Sequence, residues 1–313
     1  MDRNFRRQMI GYGCSVLLVV SVMGFNGIAQ EAQVIDVPAP KYPEVTIPNT
    51  ELRRIRSHIV DQEFSLYIQL PRNYVADSAA IYPALYMTDA NRSFPMVANI
   101  SSVLAFPKGN LPEIIVVGIG YPINDMADWG AWRTRDLTPT RDTSTDNYWN
   151  TLLAKMSHRK FEVRSGGAPK FLDFMILELI PFIEANYRVS RSDRGLAGYS
   201  YGGLFSLYAL FTHPETFGRV FAGSPSVEYD NEIIFKHAND FTAFAKRLKA
   251  KVFLSVGSLE DSSTIAGVRK MSDLLKSQSE PGVQVSLQIF DDEDHRSCMA
   301  TAIMRAFRVL YGQ

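Results

Sequence analysis

Leu196-Ala197-Gly198-Tyr199-Ser200-Tyr201-Gly202-Gly203 decides the fold. A serine flanked by glycines two positions away, between a short apolar run and an apolar helical stretch, marks a strand turning sharply into a helix with the serine at the corner. Gly195-Leu196-Ala197 supplies the strand, led in by an expected turn at Arg191-Ser192-Asp193-Arg194. Leu204 to Phe211 supplies a buried helix that stops at His213-Pro214. A serine so placed has strained backbone angles, and its glycine neighbours lack the Cβ atoms that would collide across the turn. Its hydroxyl stands at the positive end of the helix dipole, where developing negative charge is favoured. Ser200 is therefore the candidate nucleophile. The competing reading is a glycine-rich turn with no chemistry, and the strand and helix on either side speak against it.

A serine hydroxyl needs a base, and the chain offers His58, His158, His213, His237 and His295. When the elbow serine comes first, the acid and then the histidine follow on the ends of later strands. His295 fits that order, because it follows the strand-like Val283 to Phe290 and precedes a final helix expected over Met299 to Leu310. The acid belongs after the preceding strand, Lys251 to Gly257, where Ser258-Leu259-Glu260-Asp261 follows. Glu260 is the first choice and Asp261 the alternative. A pair of adjacent carboxylates also suits a solvated turn, and Asp261 suits the N-cap of a helix from about Ser263 to Leu275. An oxyanion hole would take the Tyr201 amide, the residue after the nucleophile, and an amide of Ala90 or Asn91 in the loop after Pro83 to Thr88. Asp89-Ala90-Asn91 reads equally well as ordinary turn chemistry.

These residues together resemble the esterase branch of the α/β-hydrolases, which includes siderophore esterases, S-formylglutathione hydrolases, feruloyl esterases and mycolyltransferases. The likeness is carried by Gly198 to Gly203, Ala222-Gly223-Ser224-Pro225-Ser226, Val256 to Glu260, His295-Arg296-Ser297 and Arg133-Thr134-Arg135-Asp136-Leu137-Thr138-Pro139, over residues 50 to 312. The resemblance implies an α/β-hydrolase fold, a mostly parallel sheet flanked by helices with a cap insertion, and an acid three residues beyond a strand-ending glycine, which favours Glu260. It implies ester hydrolysis through an acyl-enzyme, with no metal or organic cofactor. The Arg-x-Arg-Asp-Leu-Thr-Pro segment ranks a siderophore trilactone first as substrate. A general acetyl, feruloyl or short-acyl esterase, or an acyltransferase, comes next. One departure is Asp89-Ala90, where many relatives have Asp-Gly.

Residues 122 to 168 read as the cap, a long polar insertion holding all three tryptophans, Trp129, Trp132 and Trp149. Trp129 and Trp132 are candidates for a substrate wall, or for pinning the cap to the core. Arg133 and Arg135 are candidates for an anionic substrate oxygen, against the plainer reading of ion pairs with Asp136 or Asp142. Ser224 and Tyr229 are candidates for the pocket floor and rim.

Composition agrees with one hydrolase domain over residues 51 to 313, preceded by an extended, proline-rich arm at 30 to 50. The chain has 313 residues, 46% of them hydrophobic, and Lys plus Arg balance Asp plus Glu at 33 each. That balance gives no footprint for nucleic acid. Arg3, Arg6 and Arg7 before an apolar run to Phe25, with Gly27-Ile28-Ala29 behind it, read as a signal peptide over 1 to 29, cut after Ala29. The expected protein is exported, periplasmic or secreted, and has no stable membrane insertion once the signal is cut; a retained anchor is the alternative. Beyond the signal only Cys298 remains, so no internal disulfide can form. From a different class, a non-catalytic periplasmic ligand-binding protein on a hydrolase scaffold also meets the pattern.

Overall fold

The computed structural model describes residues 45–106, 111–123, 125–245, 250–278 and 282–312. The expected signal peptide and most of the arm lie outside the described residues. From Ile47 onward the chain forms one unit built on an eight-stranded sheet.

The strands are β1 (Thr50–Ser57), β2 (Gln62–Gln69), β3 (Tyr82–Met87), β4 (Ile115–Gly120), β5 (Val189–Tyr199), β6 (Arg219–Gly223), β7 (Ala250–Gly257) and β8 (Val283–Phe290). Their order across the sheet is β1-β2-β4-β3-β5-β6-β7-β8. β1 and β2 form an antiparallel hairpin at one edge, β2 meets β4 antiparallel, and every later pairing is parallel. β3, β4, β6 and β7 are almost wholly buried, as near-continuous apolar runs such as Ile115-Val116-Val117 require when both faces are covered.

The helices are α1 (Ala90–Leu104), α2 (Met126–Asp136), α3 (Thr143–Ser157), α4 (Ala168–Phe174), α5 (Ile180–Asn186), α6 (Tyr201–Thr212), α7 (Tyr229–Ala245), α8 (Ser262–Gln278) and α9 (Cys298–Tyr311), with a π-helical turn at Met175–Leu179 joining α4 to α5. α1 and α9 cover one face of the sheet; α5, α6 and α8 pack on strands of the other. Residues 122 to 168 carry α2 and α3. Each of these two helices starts at an aspartate: Asp125 accepts from the Ala127 and Asp128 amides, and Asp142 from the Ser144 and Thr145 amides.

The β1-β2 hairpin turns at His58 to Asp61, since the pairing runs Ser57↔Gln62 to Thr50↔Gln69. One local expectation is corrected, at the start of β5. Arg191 to Arg194 is an irregular part of β5: β3 pairs Tyr82 with Val189 and then Ala84 with Arg194, so the extra β5 residues bulge out. α1 starts at Ala90 and carries Pro95 in its second turn.

From β3 the chain passes through α1 to β4 on one side, then returns to β5 on the other, so β3 and β5 flank a topological switch point. Crevices at the carboxyl ends of such strands are where open α/β sheets bind ligands. In this sheet those ends carry Thr88-Asp89 and Ser200.

Candidate active site

Ser200 stands between β5 and α6 with φ 61° and ψ −121°, a left-handed backbone that a side-chain-bearing residue adopts only under strong constraint. The constraint is visible around it. Its amide donates to Gly223 O at 2.9 Å, its carbonyl accepts from the Leu204 amide at 2.9 Å, and a Cβ at Gly198 would strike the Gly202 backbone. Tyr201 opens α6, so its amide has no helical carbonyl behind it to bond.

Glu260 and His295 are brought together from the ends of β7 and β8. His295 Nδ1 lies 2.7 Å from Glu260 Oε2, with the histidine side chain 46% exposed and the carboxylate side chain 4% exposed. The second carboxylate oxygen, Oε1, accepts from Ser224 Oγ at 2.6 Å and from the Gly257 amide at 2.9 Å. Burial alone would push the Glu260 pKa up, but hydrogen bonds from His295, Ser224 and the Gly257 amide outweigh it and hold the carboxyl below its usual range. Asp261 also faces the cavity, but its carbonyl is engaged by the Ile265 amide in the first turn of α8, and the imidazole pairs with Glu260.

Ser200, Glu260 and His295 line one cavity of about 840 Å³. Trp129, Arg133 and Trp149 from the inserted helices line it too. Trp149 Nε1 donates to the Tyr201 hydroxyl at 3.3 Å and the two rings meet edge to face.

The expected substrate contacts divide. Arg133 is 5% exposed and its guanidinium is already committed, bidentate, to Asp89, Nε to Oδ1 at 2.8 Å and Nη2 to Oδ2 at 2.9 Å. It also lies over the rings of Trp129 and Tyr201. Burial opposes its charge, and the Asp89 carboxylate more than compensates, so its pKa stands above the usual value. Arg135 is turned out of the cavity and grips Asp136 with two bonds, 2.6 and 2.9 Å, which is the plainer of its two readings. Trp132 packs edge-on against Tyr121 and pins the insertion rather than lining the cavity. Tyr229 donates to Thr140 O at 2.7 Å and packs against Tyr201, behind the wall. Ser224 lines the cavity, but its hydroxyl is spent on Glu260 and on Tyr199, 2.8 Å away.

Neither Ala90 nor Asn91 lines the cavity; Asp89 does. The Asn91 side chain clasps the exit of β4, donating to Tyr121 O and accepting from the Tyr121 amide, each at 2.8 Å. Only backbone amides of this turn are left to face an oxyanion. The left-handed residue is Asp89, φ 59°, with Ala90 already the first residue of α1. Alanine in place of glycine therefore costs no backbone strain here. The extra methyl is accommodated by Gly118 on β4, where a Cβ would come within 2.8 Å of the Ala90 Cβ.

Sequence reasoning missed the supports: Asp89 as the Arg133 partner, the Trp149 bond to Tyr201 and the Ser224 bond to the acid. Only pairing across the fold reveals them, since Asp89 and Arg133 are far apart in the chain. Cys298 is buried behind Tyr199, where desolvation pushes its thiol up to about 11. Among the described residues no cluster of His, Cys, Asp or Glu could hold a metal ion, and no helix is long and apolar enough to cross a membrane.

Comparison with known proteins agrees with this architecture. The family model Esterase, described as "Putative esterase", matches residues 57–159 and 154–299. The ferri-bacillibactin esterase BesA of Bacillus subtilis is 29% identical over 275 residues, 84% of this chain and 90% of that protein. A siderophore enterobactin esterase of Emericella nidulans is 34% identical over 182 residues, 56% of this chain and 58% of that protein. The crystal structure of the BES protein from Bacillus cereus superposes with a TM-score of 0.76 at 26% identity, covering 87% of this chain and 100% of that one. The chain accordingly belongs to this esterase family, an α/β-hydrolase fold, and is a carboxylic ester hydrolase.

Proposed function

We propose that the protein is an exported serine esterase of siderophore-type trilactones, working through an acyl-enzyme on Ser200. The observation that carries the mechanism is the 2.7 Å pair of His295 Nδ1 with Glu260, on the wall of the cavity that Ser200 opens into. With Nδ1 bonded to the acid, Nε2 is the ring nitrogen left to take the Ser200 proton. The alkoxide attacks the ester carbonyl; His295 passes the proton to the departing alcohol, and a water then releases the acid by the reverse sequence. The Tyr201 amide is one donor for the oxyanion and the backbone amide that follows Asp89, the residue of that turn on the cavity wall, is the second, each worth about 3 kcal/mol of barrier.

The substrate class rests on relatives. BesA, matched along most of both chains, is a ferri-bacillibactin esterase, and the Emericella relative is an enterobactin esterase. A cavity of about 840 Å³ is large enough for a bulky ester of that kind. Export rests on the basic, apolar and small-residue sequence of the first 29 residues.

The test compares the protein with Ser200→Ala on p-nitrophenyl acetate and on a ferric catecholate trilactone. A loss of about a thousandfold or more on both is expected. Unchanged turnover in the variant would end the serine mechanism. Acetate turnover with no trilactone turnover would end the siderophore assignment alone.

A further inference from the structure

The cavity does not stop at the catalytic cleft. It continues on the α1 and α9 side of the sheet, along β5, to Leu310 and Tyr311 at the end of α9. The walls of this inner branch are Leu85 of β3, Val97 of α1, Phe221 of β6, and Ile303 and Phe307 of α9. All are at least nine-tenths buried and none has a polar side-chain atom. The floor is Tyr311, which is 4% exposed and whose hydroxyl has no hydrogen-bond partner. That hydroxyl sits against the β5 backbone at Gly195, where a Cβ would collide with it. From Gly195 to Ser200 the extended chain covers about 16 Å, which sets the depth of the branch.

Protein interiors fill to close packing, and apolar walls without contacts lose stability. A buried hydroxyl with no partner is a further cost. Both are ordinary in a wall that closes on a ligand. The polarity of the cavity is also divided along its length. Two more unpartnered groups, Thr88 Oγ1 and Trp129 Nε1, lie at the Ser200 end, where ester oxygens would arrive; toward Tyr311 the walls are the apolar Leu85, Val97, Phe221, Ile303 and Phe307.

We propose that this inner branch is an acyl-chain channel, so that the protein also hydrolyses esters of unbranched aliphatic acids whose chain runs between α1 and α9. The proposal rests on Ser200 as nucleophile and extends the substrate range beyond trilactones. Ser200 Oγ bonds to the acyl carbon as the ester C–O bond breaks, and the serine proton leaves on the alcohol through His295. Water then cleaves the acyl-serine, its hydroxyl going to the acid and its proton returning to Ser200.

The experiment is a p-nitrophenyl ester series from acetate to decanoate on the full chain and on Ala306→Leu, whose side chain would extend into the branch from α9. Each methylene that leaves water is worth about fourfold, so kcat/KM in the unmodified protein is expected to rise about two- to fourfold per carbon toward octanoate. In Ala306→Leu the octanoate-to-acetate ratio of kcat/KM is expected to fall at least about tenfold. A flat or falling profile in the unmodified protein overturns the channel whether or not the variant folds. A folded variant with an unchanged ratio overturns it too. Absence of acetate turnover would instead strike the Ser200 reading, and trilactone turnover with a flat aliphatic profile would leave the siderophore assignment standing without the channel.

Discussion

Glu260 is a nearly buried carboxylate beside a half-exposed imidazole, and three donors fix both of its oxygens. Glu260→Gln keeps the shape and removes the charge that orients and stabilises the imidazolium. Its kcat is expected to fall by about a thousand- to ten-thousandfold, and steady-state kinetics on p-nitrophenyl acetate measures this. The same residue sets a stability window. Its folded pKa lies below the unfolded value, so its contribution is complete above the ordinary glutamate range and is lost as pH falls through the lowered folded value. Urea denaturation of the protein and of Glu260→Gln should therefore show a stability gap at pH 7 that shrinks below about pH 4. Ser224→Ala, which removes the bond to Oε1, should move that loss to higher pH. If the gap is pH-independent, the carboxylate is not the ionised partner its contacts describe.

The helices of the insertion depend on their first residues. Asp142 bonds the Ser144 and Thr145 amides at 3.0 and 3.1 Å and takes the Thr145 hydroxyl as well. Asp142→Ala should fray α3 at its start and cost about 1 kcal/mol, read as faster amide exchange over Thr143 to Asp146 with the sheet unaffected. Uniform loss of protection would show instead that α3 unfolds only with the whole domain. The two helices of the insertion were not legible in the sequence, whereas several elements of the sheet domain were, to within a few residues. β8 falls on Val283–Phe290 as the apolar pattern reads, and α8 and α9 extend their expected spans by a turn or less. The β5 bulge was not legible, because Arg191-Ser192-Asp193-Arg194 has turn composition, and what keeps it in the strand lies elsewhere in the chain: the β3 pairing on either side of it and ion pairs with Glu184 and Arg219. Glu260 and His295 could be found because each follows a strand by a short loop. Arg135, Trp132 and Tyr229 could not be placed, because nothing local to them says which way a side chain on the insertion or beside α7 will turn.

Across the molecule, one arginine ties the insertion to the turns on either side of the switch point. Arg133, on α2, holds the Asp89 carboxylate after β3 and lies over the Tyr201 ring at the start of α6. Both ends of the ion pair are nearly buried, at 7% and 12% side-chain exposure, so each charge depends on the other for its solvation. Arg133→Met leaves Asp89 charged and unpaired and should destabilise the fold by about 3 to 5 kcal/mol. Adding Asp89→Asn removes the stranded charge, so the double variant should be more stable than Arg133→Met alone, with a coupling energy above about 1 kcal/mol in a double-mutant cycle. The consequence reaches the chemistry, because Asp89 and Tyr201 border the two amide donors assigned to the oxyanion. Even in the stabilised double variant kcat should stay depressed while KM for p-nitrophenyl acetate changes little, the signature of a lost transition-state contact rather than lost binding. Additive stabilities would show that α2 merely rests on the core, and a rise in KM at constant kcat would return Arg133 to the role of binding substrate directly.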